Sequence, residues 1–393
     1  MKKPLVLVVF GTRPEVIKLA PVVHELSRRS DLAVRVCVTA QHRQMLDEML
    51  ENFELRPDFD LDLMQKNQDL CGFSSRALPR LQAVIREVQP DYVLVQGDTT
   101  TAFVTALAAF YEHVPVGHVE AGLRSFDRSN PYPEETNRVM IARLSDLHFA
   151  PTAIACANLI AEGIPARSIV QTGNTVVDAL RWTATRSREF REPALREAFA
   201  AMGPDDKAVL VTTHRRENLG KPLESLCRAF QTLVEHHPSM HLFYPVHMNP
   251  KVGEVVRRIV RHPRAHLLPT LGYFDLIEAL RRSHFVLTDS GGIQEEAPSL
   301  GKPVIVLRKV TERPEGVNAG VAALAGTREA DVVRLGTRLM EDAKFHRSMS
   351  RGSGVFGDGL ASARVVDSLR HHFGLARARP ASFRESLVIN RNK

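Results

Sequence analysis

The stretch Leu287-Thr288-Asp289-Ser290-Gly291-Gly292-Ile293-Gln294-Glu295-Glu296-Ala297 decides how the chain is read. The apolar run Phe285 to Leu287 just before it predicts a buried strand. Asp289 to Gly292 predicts a tight turn. Gln294 to Ser299 predicts the first turns of a helix that Gly301-Lys302-Pro303 stops. A strand, a small-residue turn and a helix N-terminus in that order make an anion site. Free backbone N–H groups and the positive end of the helix dipole converge on one spot. Glycines let a phosphate approach the backbone closely. Glu295 and Glu296 do not suit a phosphate; one of them is better placed to accept hydrogen bonds from sugar hydroxyls. The pattern points to a nucleotide with phosphates and a ribose. The alternative is a glycine-rich turn that holds no ligand.

Outward from this stretch, strands and helices alternate. Residues 4–10 are continuously apolar, as in a parallel strand buried on both faces. Gly11-Thr12-Arg13-Pro14 ends that strand, and Pro14 suits the first turn of a helix. Further strands are expected at Ala33 to Ala40, Tyr92 to Gln96, Val114 to Val119 and Leu147 to Phe149, with helices between them. After Gly173-Asn174 the alternation restarts, with strands at Ala208 to Thr212, His241 to Val246, Ala265 to Leu268 and Val304 to Leu307. The fold class is α/β, as two doubly wound domains facing a cleft, with ligands at the carboxyl ends of strands. The expected division is 1–172, completed by a C-terminal helix near 361–374, and 173–360. A basic, disordered tail is expected over 375–393.

Composition fits a soluble globular protein: 393 residues, 44% hydrophobic and 25% charged. No apolar run approaches the ~18 residues that span a bilayer. Cys37, Cys71, Cys156 and Cys227 are scattered and form no ligand cluster, which points to reduced thiols in the cytoplasm. The net charge is +7, with five basic residues and one acidic residue after Gly374. The body is therefore only mildly basic, which argues against nucleic acid and suits a pocket for a small anion.

Polar residues gather at expected strand ends. Arg13 and Lys18 flank the start of the first helix and suit a diphosphate. Asp98, in Gly97-Asp98-Thr99-Thr100-Thr101, is either a catalytic carboxylate or the cap of the next helix. Glu120 ends a strand where no cap is needed, which favours function. Glu134 and Glu135 open a helix whose dipole welcomes them. Three carboxylates at one sheet edge would repel one another and raise a carboxyl pKa, as acid/base chemistry requires. His214, beside Arg215 and Arg216, is hard to keep protonated and suits a proton carrier near a phosphate. His247 and Arg313 also follow strands. The histidine spacing gives no metal site. The absence of GxGxxG after the first strand counts against a nicotinamide cofactor.

Ten motifs then carry a resemblance: GTRPEVIKLAPV, TAQHRQMLD, QGDTTTAF, GHVEAGLRS, PYPEETNR, TGNTVVDAL, THRREN, YPVHMNP, TDSGGIQEEAPSLGKPV and TERPEGV. From Phe10 to about residue 372 the chain resembles the bacterial non-hydrolysing UDP-N-acetylglucosamine 2-epimerases. The resemblance implies two Rossmann-like domains of the GT-B type, a homodimer and no cofactor. It implies interconversion of UDP-N-acetylglucosamine and UDP-N-acetylmannosamine through anti elimination of UDP, a 2-acetamidoglucal, and syn re-addition. The resemblance also implies that the product feeds cell-surface polysaccharide. By motif, Asp98, Glu120 and Glu134 are the acid/base candidates, and His214 assists the leaving UDP. Arg13, Lys18, Ser290, Gly291 and Gly292 hold phosphates, Glu296 the ribose, and Arg313 lies near the nucleotide. Leu271, Tyr273 and Leu276 fall near the uracil, with Leu276 where relatives usually carry Phe. Gln41, Gln44, Arg215 and His247 match the site of a second UDP-N-acetylglucosamine, an activator, but Asn67 stands where some relatives have Arg. A hydrolysing epimerase, an epimerase of a modified UDP-sugar and, more remotely, a GT-B glycosyltransferase or a catalytically silent sugar-nucleotide sensor are the competing readings.

Overall fold

The computed structural model describes residues 2–40, 43–65, 69–186, 189–215, 218–246, 249–351 and 354–384. Seven parallel strands make the first sheet: β1 (Leu5–Phe10), β2 (Ala33–Val38), β3 (Phe59–Asp60), β4 (Tyr92–Gln96), β5 (Val116–Val119), β6 (Leu147–Ala150) and β7 (Ile169–Gln171). Their order is β3-β2-β1-β4-β5-β6-β7. Six more make the second: β8 (Lys207–Thr212), β9 (Met240–Pro245), β10 (Ala265–Leu268), β11 (Phe285–Thr288), β12 (Val304–Val306) and β13 (Ala322–Leu324). Their order is β10-β9-β8-β11-β12-β13. Both sheets are doubly wound, and each reverses direction beside its first strand. The gaps between β1 and β4 and between β8 and β11 are therefore topological switch points, where such sheets bind ligands.

The continuous apolar runs read from the sequence are buried strands. Val6 to Phe10 and Phe285 to Leu287 are fully inaccessible. Each fully buried aliphatic side chain contributes roughly 1.5–3 kcal/mol. The strands that the sequence did not announce, β3, β7 and β13, have two or three residues each and sit near or at sheet edges. They are too short to show a period of two.

The chain divides into two compact units. Unit 1 holds residues 1–179 and the segment that returns from Phe356. Unit 2 spans Leu180–Val355. In unit 1 the helix Ala361–His372 packs on the helix Arg13–Arg28, where Arg370 Nη2 meets Asp31 at 2.9 Å. The tail departs from the expected disorder as far as residue 384. The Phe383 N–H donates to Gln171 O of β7 at 2.8 Å, and its ring is buried against Gly173. Residues 385–393 of the expected tail lie outside the described residues. Among the described residues no helix is long and apolar enough to cross a membrane. All four cysteines are free thiols.

Candidate active site

At the first switch point the turn after β1 lies beside the turn after β4. Gly11 must be glycine here, since a Cβ would fall 2.0 Å from Thr39 Oγ1. Glu15, in the first turn of helix Arg13–Arg28, ties the two turns together. Its Oε2 accepts from the N–H groups of Gly11 (3.0 Å) and Thr12 (2.9 Å) and from the Thr12 hydroxyl. Its Oε1 accepts from the Thr99 hydroxyl at 2.7 Å. Complete burial pushes this carboxyl up to about 7, against the pull of those hydrogen bonds.

Asp98 follows β4 and is not the cap of the next helix; Thr99 is, accepting from the Ala102 N–H. Asp98 pairs with Arg138, and its backbone carbonyl accepts from Asn137 Nδ2 at 2.9 Å. Both partners come from helix Glu134–Leu144. The same helix provides Glu135, which accepts from the Ser125 and Phe126 N–H groups at 3.0 Å each and meets Arg138 Nη1 at 3.2 Å. Glu134 lies one turn before Arg138 on the same helix face. Its Oε2 is buried and has no hydrogen-bond partner among the described residues.

Glu120, at the end of β5, is 8% exposed and sits at φ 64, in the left-handed region. Lys18 ion-pairs with its Oε1, and Gln96, from the end of β4, donates to Oε2. Asn174 Nδ2 donates to Oε1 at 3.0 Å. The carboxylates are thus not left to repel one another: Asp98 faces Arg138 and Glu120 faces Lys18. Lys18, expected at a diphosphate, lies on Glu120 in this structure. Arg13 is half-buried at the helix N-terminus, with no ion-pair partner among the described residues. Below the site, His118 Nε2 donates to Gly97 O at 2.7 Å, and burial pushes its pKa down to about 3.

At the second switch point the turn after β8 meets the turn after β11. Ser290 caps helix Gly291–Ser299, so Gly291 and Gly292 form its N-terminus. Asp289 is fully buried. It accepts from the N–H groups of His214 (3.1 Å) and Arg215 (3.1 Å) and from Asn218 Nδ2 (2.8 Å). His214 Nδ1 lies 3.3 Å from Asp289 Oδ1. Arg215 Nη2 lies 3.7 Å from where a Gly291 Cβ would be, so its guanidinium borders the glycine turn. Arg313 pairs with the buried Glu295, which separates the two adjacent glutamates: Glu295 holds a cation, and Glu296 is 6% exposed. Leu271 and Tyr273 are nearly fully buried in unit 2, and Leu276 is half-buried.

Gln41, Asn67 and His247 lie outside the described residues, as does the side chain of Gln44 in helix Arg43–Asn52. Among the described residues no group of three or more His, Cys, Asp or Glu side chains is placed to hold a metal ion. Arg138, Gln96, Asn174, Glu15 and Asp289 did not stand out as site residues in the sequence. All five lay within the quoted motifs, but the distant partners they meet are 24 to 84 positions away.

The sequence model of the UDP-N-acetylglucosamine 2-epimerases matches residues 24–370. The Bacillus subtilis UDP-N-acetylglucosamine 2-epimerase is 48% identical over 384 residues, 98% of this chain and 99% of that protein. The Escherichia coli K12 enzyme of the same name is 46% identical over 372 residues, 93% and 98% of the two chains. The structure of the Neisseria meningitidis UDP-GlcNAc 2-epimerase bound to UDP-GlcNAc superposes with a TM-score of 0.86 at 41% identity. It covers 93% of this chain and 100% of that one. The chain belongs to the UDP-N-acetylglucosamine 2-epimerase family.

Proposed function

We propose that the chain interconverts UDP-N-acetylglucosamine and UDP-N-acetylmannosamine without hydrolysing either. The observation that carries this reading is the placement of Glu120 and Asp98 at the ends of adjacent strands β5 and β4, each against its own cation. One carboxylate takes the proton from carbon 2 as the bond from carbon 1 to the UDP oxygen breaks. The electron pair of the C–H bond becomes the double bond of a 2-acetamidoglucal, and UDP leaves with the pair of the C–O bond. Return of UDP with proton delivery to the opposite face of carbon 2 gives the epimer. Acid and base groups on both faces of the sugar are what such chemistry needs. Glu134 is the third proton carrier.

The nucleotide is assigned to the second switch point. The Ser290-Gly291-Gly292 turn, with the Gly291 and Gly292 N–H groups and the helix dipole, suits the diphosphate. Arg13 adds charge for it, with Lys18 held at Glu120, and His214 assists its departure. Glu296 takes the ribose, Arg313 lies near the nucleotide, and Leu271, Tyr273 and Leu276 fall near the uracil. Assembly as a homodimer, activation by a second UDP-N-acetylglucosamine at Gln41, Gln44, Arg215 and His247, a cytoplasmic location and supply of polysaccharide precursors belong to the same reading.

The test is product analysis by NMR after adding UDP-N-acetylglucosamine alone. The expected product is an equilibrium mixture with UDP-N-acetylmannosamine. Free N-acetylmannosamine plus UDP would mean hydrolysis, and no reaction without an acceptor would mean a transferase.

A further inference from the structure

Asp289 stands in the stretch that decides the fold, yet the proposed chemistry gives it no part. It is fully buried, and every side-chain hydrogen bond described for it runs to the turn after β8. A buried carboxylate is costly unless each lone pair is used. Here the hydrogen-bond donors are two backbone N–H groups and the Asn218 amide, and Nδ1 of the His214 ring stands 3.3 Å from Oδ1. We infer that Asp289 is a positioning residue for the proposed reaction, holding the His214 imidazole with Nδ1–H toward Asp289 and Nε2 toward the diphosphate turn at Ser290-Gly291-Gly292.

An ionised carboxylate has no proton to give, so the contact between His214 Nδ1 and Asp289 Oδ1 requires the proton on Nδ1. In the neutral ring Nε2 is then the acceptor. When Nε2 takes a proton, the imidazolium is stabilised by the buried negative charge behind it. The His214 side chain is 46% exposed while Asp289 is 0% exposed. The imidazole therefore spans from the buried carboxylate to the accessible side of the switch point. There it meets the charge that develops on UDP as the C–O bond breaks: the oxygen keeps the bonding electron pair, and Nε2–H donates to the diphosphate. A carboxylate that only anchored the loop would need no second oxygen against the ring. One oxygen, such as an amide has, serves N–H donors equally well. This inference rests on the epimerase reading for its chemistry but not for its geometry.

The test uses the full chain and two independent readouts. The first is the 15N spectrum of the His214 ring, assigned by its loss in His214→Gln. The wild type is expected to show the Nδ1–H form when neutral. In Asp289→Asn the amide oxygen stays with the backbone donors, so the amide NH2 faces the ring and the tautomer shifts to Nε2–H. The second readout is steady-state kinetics with UDP-N-acetylglucosamine. Asp289→Asn is expected to lower kcat by ~10²-fold or more, in the direction seen when the orienting carboxylate of a histidine dyad becomes an amide. KM and UDP affinity should stay within about threefold. Asn218→Ala removes a donor to the same carboxylate without touching the ring. It should lower Tm but leave the tautomer unchanged, and it serves as the loop-anchoring comparison if Asp289→Asn folds poorly. An Nε2–H ring in the wild type would overturn the inference. So would a tautomer shift in Asn218→Ala, or an Asp289→Asn protein that loses UDP affinity and Tm together while kcat holds. If the wild type does not epimerise UDP-N-acetylglucosamine, the function reading fails, and the ring spectrum still decides the role of Asp289.

Discussion

Asn174 Nδ2 donates to Glu120 Oε1 at 3.0 Å, joining the turn after β7 to the carboxylate at the end of β5. The amide is itself held: Asn174 Oδ1 accepts from the Val176 N–H at 3.1 Å, and the Asn174 N–H donates to Phe356 O at 2.7 Å. A hydrogen bond to a charged group is worth roughly 1.5–3 kcal/mol. Asn174→Ala is therefore expected to lower kcat about ten- to a hundredfold while UDP affinity holds. Asn174→Asp, which sets a like charge against Glu120, should cost more. Kinetics beside UDP calorimetry check this; equal kcat in Asn174→Ala would remove the contact from the mechanism.

Loss of the groups proposed to react should weigh more. Asp98→Asn, Glu120→Gln and His214→Ala are each expected to lower turnover by about 10²-fold or more, the range for an acid/base or charge-stabilising group. The two carboxamide variants should still bind UDP. Arg138→Met, which strips Asp98 of its cation, should also depress turnover and not UDP affinity. Near-normal turnover in Glu120→Gln would exclude it as a proton carrier.

Heavy water reports on the bond that breaks. Without added nicotinamide or metal, epimerised product should carry deuterium at carbon 2. Product that keeps its original hydrogen there would sink the elimination route.

Two buried groups in unit 1 give stability opposite pH slopes. His118 has its pKa pushed down to about 3 by burial. Its unfolded form takes up a proton below pH ~6.5 and its native form does not. Its contribution is thus full above pH ~6.5 and is lost as pH falls, by roughly 1.5–2 kcal/mol between pH 6.5 and 5. Glu15 is raised to about 7 by burial, so the native state binds its proton more tightly than the unfolded one. Its contribution is full below pH ~4.5 and is lost as pH climbs through 7. Urea unfolding of His118→Gln and Glu15→Gln against wild type should show stability differences that move in opposite directions between pH 5 and 7. Parallel pH profiles for all three proteins would refute both assignments.

A second UDP-N-acetylglucosamine is expected to activate the enzyme. Rate against that sugar should be sigmoidal, and the reverse reaction should lag until some of it has formed. By the resemblance Asn67 stands where some relatives have Arg, and losing one charge-assisted contact costs roughly 1.5–3 kcal/mol, ten- to a hundredfold in activator affinity. Asn67→Arg should sharpen the sigmoid. Hyperbolic curves in both directions, with no lag, would show that the second site is lost.

Much of the fold was legible because parallel strands buried on both faces write themselves as continuous apolar runs. Leu5 to Phe10, Tyr92 to Gln96 and Phe285 to Leu287 are such runs, each ending in a polar or glycine turn. That rule brought Asp98, Glu120 and His214 forward as candidates. What it could not show is which distant side chain answers each of them. Arg138 on Asp98, Asn174 on Glu120 and Asp289 behind His214 are tertiary pairings, and no local spacing encodes them. The tail misled for a related reason. Phe383 is one aromatic in a basic stretch without period, and its partners, Gly173, Gln171 and Arg364, are all distant in sequence.

The return of residues 361–384 to the first sheet bears on how the chain is made. Among the described residues unit 2 occupies one continuous stretch, Leu180–Val355, whereas unit 1 is closed by the segment after it. At a synthesis rate of roughly 5–20 residues per second, that stretch takes roughly ten to thirty-five seconds to emerge. Throughout that interval the surface of helix Arg13–Arg28 that receives helix Ala361–His372 is without its cover, and so is the β7 edge that receives Phe383. The order of birth and the order of completion are reversed. The half of the protein that carries Asp98 and Glu120 is begun first on the ribosome and finished last.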